Sequence, residues 1–142
     1  MAVRARFGKA GRGWRRMEAA SIFWTQMEPF RLFSKTTELT EPGPNKTFVF
    51  TDERPDQINW GNYMADMTGY PNQSNLYQFS GDMPGMFHSG GGSFSFADGS
   101  AEIHRWLDPR TIPPFNSVPF NSLVVPYDPD VDWLQSRSTS PK

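Results

Sequence analysis

The feature that most restricts the fold of this sequence is the dipeptide Asp98-Gly99, which separates two short runs of alternating residues, 93–97 and 100–107. An Asp-Gly pair between such runs favours a two-residue type I′ hairpin turn, because both central residues of that turn need positive φ. We therefore predict a β-hairpin in which Phe94 pairs with Ile103. One face of this hairpin is expected to carry the apolar side chains Phe94, Phe96, Ala101 and Ile103.

Turn residues and short apolar runs occupy much of the remaining chain. The 142 residues include 12 Gly and 13 Pro, a composition that favours short strands and turns over long helices. We expect strands over residues 47–51 and 58–64, and a shorter one over residues 123–125. Residues 14–28 carry apolar side chains at loosely helical spacing and Pro29 follows them, so we expect a helix that ends there.

Together these elements predict an α+β fold. One N-terminal helix packs on a small antiparallel β-sheet, and a proline-rich, irregular C-terminal segment wraps over the domain. The length fits a single domain. We expect a disordered basic arm over residues 1–13, a globular domain over residues 14–112 and a C-terminal extension over residues 113–142.

Charge and residue content exclude several classes of function. The formal net charge of −1 gives no overall attraction to nucleic acid, and we expect no nucleic-acid partner. The absence of cysteine excludes disulfides, thiolate metal sites and cysteine nucleophiles. No apolar run approaches the roughly 20 residues that span a bilayer. We therefore predict no membrane span, and we identify no export signal.

Two blocks of sequence carry a resemblance to a known family. His88 is followed by nine residues and then by Asp98-Gly99. The block 87–111, which contains Trp106, is similar to the C-terminal signature of the prepilin-type, processing-associated H-X9-DG proteins. The block 48–59 is similar to an upstream strand of the same family. The chain thus resembles these proteins, which are related to the pseudopilins of type II secretion.

The resemblance implies a non-enzymatic structural or assembly protein that acts through protein contacts. Its partners would be other pseudopilins, secretion-apparatus proteins or further copies of itself, at the cell surface or in the periplasm. Members of the family begin with a basic leader and a long apolar helix, which we do not identify in this sequence. We therefore expect the globular half alone, as a monomer or small oligomer.

Four side chains are candidate metal ligands, because imidazole and carboxylate groups suit zinc and other first-row ions. They are Asp52, Glu53, His88 and Asp98. The alternative is structural: Asp98 is a turn residue, His88 bonds a backbone carbonyl, and the two adjacent acids end a strand. We favour this second interpretation, since acids commonly occupy such positions.

A second candidate site lies near the C-terminus. Asp128, Asp130 and Asp132 occupy alternate positions, like the first three ligands of a calcium loop. Trp133 and Thr139 stand where an EF-hand requires Gly and Glu, which excludes that loop. An irregular calcium site and a solvated acidic turn remain as alternatives. We favour the solvated turn and expect no cofactor, with calcium as the alternative.

Two other classes of function stay open at this point. A carbohydrate- or ligand-binding module would display Trp and Tyr on the polar face of the sheet. A metal-dependent hydrolase would need the four metal-ligand candidates to converge. Gly90-Gly91-Gly92 lacks the Lys-Ser/Thr of a phosphate-binding loop, and Ser93 lacks the final Gly of a nucleophile elbow. We therefore expect no catalytic residues.

Overall fold

The computed structural model describes residues 29–58, 62–80, 82–118 and 123–142. Short strands and turns dominate these residues, as the glycine and proline content predicts. The strands are β1 (Phe48–Thr51), β2 (Gln78–Phe79), β3 (Gly91–Phe96), β4 (Ala101–Arg105) and β5 (Leu123–Val124). The helical elements are one α-helix, α1 (Pro129–Gln135), and two 3-10 turns, Thr36–Glu38 and Ser74–Leu76.

Three of the strands form one antiparallel sheet, in which β3 lies between β1 and β4. β2 and β5 form a separate antiparallel pair. The strand predicted over residues 47–51 is confirmed as β1, and the one predicted over 123–125 is confirmed as β5. The strand predicted over 58–64 is wrong for the residues described there, which are irregular; residues 59–61 lie outside the described part.

The hairpin at Asp98-Gly99 is confirmed, but its predicted register is wrong by one residue. Phe94 pairs with Glu102 instead of Ile103. Gly99 has a φ of +90°, whereas Asp98 does not adopt positive φ. The Gly99 amide donates a hydrogen bond to the carbonyl oxygen of Phe96 at 3.0 Å. The connection is therefore a three-residue loop that ends in one left-handed glycine, not a two-residue type I′ turn.

The extra loop residue reverses the two faces of β4, because side chains alternate along a strand. Ile103, predicted to be in the core, is 61% exposed. His104 turns inward instead, and its ring stacks on that of Trp133 with centroids 3.8 Å apart. Phe94 and Phe96 are buried as predicted. The inner face of β4 is therefore polar where an apolar face was expected.

The predicted α+β architecture, with an N-terminal helix packed on the sheet, is wrong. The described residues are mostly strands and loops, and their one α-helix lies near the C-terminus, within the segment expected to be irregular. α1 begins there because the Asp128 carboxylate accepts the Asp130 amide at 2.8 Å and Pro129 occupies the first helical position. The helix predicted over residues 14–28 and the arm over 1–13 lie outside the described residues.

One apolar core joins the sheet, β2, β5 and α1. Its buried residues are Phe48, Tyr63, Tyr77, Phe79, Met83, Phe94, Phe96, Trp106, Val125, Val131 and Leu134. Three of them follow residue 112, in the segment that we expected to be an extension. This segment therefore contributes to the same core as the β3–β4 hairpin.

The two ends of the described chain also meet. Phe30 forms an isolated antiparallel bridge with Pro141. The Arg31 amide donates to the carbonyl oxygen of Ser140 at 3.0 Å, and the Lys142 amide donates to that of Pro29 at 2.8 Å.

Among the described residues, no helix has the length and apolar character that a bilayer crossing requires.

Candidate functional site

The two sequence blocks that carry the family resemblance meet at the end of β1. Asp52 follows β1, and because Thr51 lies opposite Phe94, its carboxylate reaches Ser93 of β3. One Asp52 oxygen accepts hydrogen bonds from the Ser93 amide and, at 2.9 Å, from the Ser93 hydroxyl. The other oxygen lies 3.9 Å from Nε2 of His88. Asp52 therefore ties β1 to β3, while its second oxygen faces the turn before β3 without a hydrogen-bond partner among the described residues.

This arrangement differs from a hydrolytic triad. In a triad, the imidazole stands between the hydroxyl and the carboxylate, so that it can take the hydroxyl proton. Here the Asp52 carboxylate stands between Ser93 and His88, and the hydroxyl donates to the carboxylate. The geometry therefore supports a bond that holds the strand end and does not activate Ser93 as a nucleophile.

Asp98 lies away from this junction, at the tip of the hairpin. Its carboxylate accepts the hydroxyl of Ser100 at 2.6 Å and the amide of Ser100 at 2.9 Å, and these bonds lower the pKa of Asp98. Ser93 lies near the opposite end of β3, on the order of 15 Å away along an extended strand. In the described part of the chain, no three His, Asp or Glu side chains are placed to hold a metal ion.

Glu53, next to Asp52, has an unusual environment. Burial raises the pKa of Glu53 to about 7, and the negative charge of Asp82 adds to the increase. One Glu53 carboxylate oxygen is buried and has no hydrogen-bond partner among the described residues. Glu53 is therefore expected to gain or lose its proton near neutral pH.

Of the three candidate calcium ligands, Asp128 and Asp130 converge on Thr111, whereas Asp132 contacts a different residue. Asp128 is buried, and burial raises its pKa to about 6. The Thr111 hydroxyl lies 3.2 Å from Asp128 and 2.8 Å from Asp130. Asp132 instead accepts the hydroxyl of Tyr77 at 2.6 Å. These contacts give Asp128 a role in capping α1, whereas Asp130 and Asp132 attach α1 to neighbouring segments through Thr111 and Tyr77.

Asp130 is the most completely bonded of these acids. It is fully buried, and its carboxylate accepts the amides of Leu107 and Asp108 at about 3 Å. The Nε2 atom of His104 lies 3.6 Å from Oδ1 of Asp130. Burial acts to raise the pKa of Asp130, but His104 and the two amides outweigh it and lower the pKa. Asp130 thus fixes the chain after β4 to α1.

Two tryptophans surround this polar cluster. Trp106, which belongs to the block that resembles the H-X9-DG signature, is buried and donates its indole N–H to the carbonyl oxygen of Gly85 at 2.8 Å. Trp133 stacks on His104, and the Arg137 guanidinium lies 4.2 Å from the centre of a Trp133 ring. The tryptophans therefore hold the core and are not displayed on the sheet surface.

A groove of about 460 Å³ lies beside β1 and is lined mainly by apolar side chains. Phe48 and Phe96 are buried at its floor, whereas Leu32 and Phe50 are 55% and 63% exposed along it. The charged residues of the lining are both basic, Arg31 and Lys35. Neither forms an ion pair with a described carboxylate. The groove is thus an apolar surface with two basic side chains in its lining, and the Glu38 carboxylate interacts electrostatically with one of them, Lys35.

Sequence reasoning missed this groove and one buried cation. Residues 30–33 and 47–50 line the groove together with Met64, Ala65 and Met67, and nothing in the sequence indicates that these segments meet. Arg54 is fully buried and forms a two-bond pair with Asp56. The presence of Arg and Asp two residues apart in an Arg-Pro-Asp turn was the signal that could have identified this pair.

Comparison of the chain with models of protein families, with curated proteins and with solved structures finds no match. The resemblance to the H-X9-DG proteins therefore stays a prediction that rests on the two sequence blocks.

Proposed function

We propose that this chain is a non-enzymatic assembly module, of the pseudopilin-like kind that its sequence blocks resemble, and that it binds a partner protein in the groove beside β1. The observation that carries this proposal is the apolar groove itself. Leu32 and Phe50 stay exposed along its length. Large apolar side chains that remain exposed beside a groove are typical of contact surfaces.

The charge of the groove defines the chemistry of the partner. Arg31 and Lys35 attract acidic side chains, and the lining contains no acid, although the nearby Glu38 carboxylate offsets part of the charge of Lys35. An amphipathic helix fits this pattern, because its apolar stripe would cover the floor while its carboxylates reach the two cations. The partner we infer is therefore an apolar helical segment with acidic residues on its flank.

Two observations favour this proposal over the alternatives: the bonds of Asp52 and Asp130 argue against a metal-dependent hydrolase, and the outer face of the sheet argues against a carbohydrate-binding module. Asp52 and Asp130 direct their hydrogen bonds to Ser93 and to the chain after β4. A carbohydrate-binding face would need several aromatic side chains on the outer face of the sheet. The three strands of that sheet carry one there, Phe50, beside serines and Ile103.

Fluorescence anisotropy can test the groove with a synthetic helical peptide that has leucines on one face and glutamates on the other. We expect this peptide to bind, and we expect the same peptide with lysines in place of glutamates to bind more weakly. The difference should shrink at high salt, which screens exposed charges. Leu32→Ser or Phe50→Ser should weaken binding by about tenfold, because burying such a side chain contributes about 1.5 to 3 kcal/mol.

Ile103→Ser is the matched control. Ile103 is as exposed as Phe50 and lies on the same sheet, but it is not part of the groove lining. The control should bind the glutamate peptide like the unchanged protein. Equal loss in all three variants would contradict the assignment of the groove. Binding of oleate without binding of either peptide would identify a site for a small amphiphile and would also contradict the proposal.

A further inference from the structure

The two edges of the three-stranded sheet differ in how they are protected. At the β1 edge, the Phe48 amide donates to the carbonyl oxygen of Arg137 at 3.1 Å, so the chain after α1 covers that edge. At the β4 edge, no described residue pairs with the strand, whose residues are all exposed except His104. An open edge is a template for pairing with another strand.

The hydrogen-bonded pairs within the hairpin show which backbone groups point outward at β4. The Phe96 amide donates to the carbonyl oxygen of Ser100, and the Trp106 amide donates to that of Gly90. Because such pairs alternate along an antiparallel ladder, Glu102 and His104 bond toward β3. The backbone groups that point away from the sheet therefore belong to Ala101, Ile103 and Arg105.

We propose that β4 is a self-association edge, and that its partner is β4 of a second copy of this chain, paired antiparallel about Ile103. In this register Ile103 faces Ile103 of the second copy, and Ala101 faces Arg105. Every outward-pointing backbone group of the strand then meets an outward-pointing group. The two sheets join into one sheet with the strand order β1-β3-β4-β4-β3-β1.

The side chains of β4 are complementary to themselves in this register. Glu102 lies opposite His104 of the second copy, and Arg105 lies opposite the small Ala101, so no like charges face each other directly. A parallel pairing would instead place Glu102 beside Glu102 and Arg105 beside Arg105. At the centre, the exposed side chain of Ile103 gains an apolar neighbour. The charges thus select the antiparallel arrangement.

The contact is small, because it joins two single strands at their edges. Interfaces of this size belong to weak and transient complexes. We therefore expect a dimer whose fraction rises with protein concentration. This surface lies across the sheet from the groove, and the inference does not depend on the proposed function of the groove.

Sedimentation velocity of the full chain over a range of concentrations tests the dimer. The unchanged protein should shift from monomer toward dimer as its concentration rises. Ile103→Lys should weaken association by about tenfold, because two lysines would then face each other at the centre. Val124→Lys is the control: it adds the same charge at an equally exposed strand position, but on β5, which belongs to the separate strand pair and is not part of the groove lining. It should dimerise like the unchanged protein.

Hydrogen exchange then identifies the edge. The amides of Ala101, Ile103 and Arg105 should exchange more slowly at high concentration, while those of Glu102 and His104 are protected at every concentration. A monomer at the highest soluble concentration would overturn the inference, and so would a dimer that Ile103→Lys leaves intact. Loss of the dimer in both lysine variants would show that the added charge, and not its position on β4, prevents association, and would equally overturn the inference.

Discussion

Glu53 makes the stability of this protein depend on pH, and Glu53→Gln should remove the part of this dependence that Glu53 contributes. The folded protein raises the pKa of Glu53 from 4.5 to about 7, first through burial and then through the charge of Asp82. A raised pKa means that the folded state binds the proton more tightly than the unfolded state does. The stabilisation is fully present below about pH 4.5 and is lost as the pH rises through about 7.

The size of the effect follows from the partial burial of Glu53. A pKa increase of this extent in a fully buried carboxyl would correspond to about 3 kcal/mol. Glu53 is only partly buried, and solvent screening reduces the expected contribution to about 1 kcal/mol. A glutamine side chain has nearly the same shape as that of glutamate and carries no charge. We therefore expect Glu53→Gln to be about 1 kcal/mol more stable than the unchanged protein at about pH 8.

Urea unfolding at about pH 5 and about pH 8 measures this difference. Asp128, whose pKa is raised to about 6, changes stability in the same direction, but it is present in both proteins and cancels in the comparison. Glu102→Gln, at an exposed position of β4, is a control and should behave like the unchanged protein. If Glu53→Gln altered stability equally at both pH values, the assigned environment of Glu53 would be wrong.

Three further predictions concern the turn, the buried cation and the acids of α1. Gly99→Val should lower stability by about 1 to 2 kcal/mol through backbone strain alone, because no atom lies within 4 Å of the added Cβ; an unchanged melting temperature would contradict the turn. Arg54→Met should cost about 3 to 5 kcal/mol in urea unfolding, since it leaves the Asp56 carboxylate and the Pro113 carbonyl oxygen without their donor. We expect thermal melting not to respond to calcium or to a chelator; a calcium-dependent increase that Asp128→Ala abolished would contradict this expectation and support the calcium alternative.

The hairpin shows how much of this structure can be predicted from local sequence. Asp98-Gly99 marks the turn, but the same dipeptide fits a two-residue loop and the end of a three-residue loop. Contacts far along the chain decide between them: the observed register turns His104 toward Trp133 and Asp130. Local patterns predict that two strands pair, whereas the register depends on what packs against them.

The acids of α1 show the same limit for the candidate sites. Asp128 before Pro129 is a helix-start signal, but the alternate spacing of the acids equally fits a calcium loop. Only the fold brings Thr111 and Tyr77 to these carboxylates. The groove has no local signal at all, because its lining comes from segments far apart in sequence. Its position could not have been predicted from residue spacing.

The pairing of residues 29–31 with residues 140–142 has a mechanical consequence. Pulling residues 29 and 142 apart would break the bridge between Phe30 and Pro141 one hydrogen bond at a time, because both pulling points lie at the same end of this short ladder. Both paired segments also line the groove, through residues 30–36 and 138–139. Tension would therefore open the groove before it reached the three-stranded sheet. A partner bound in the groove would contact both paired segments and would resist their separation.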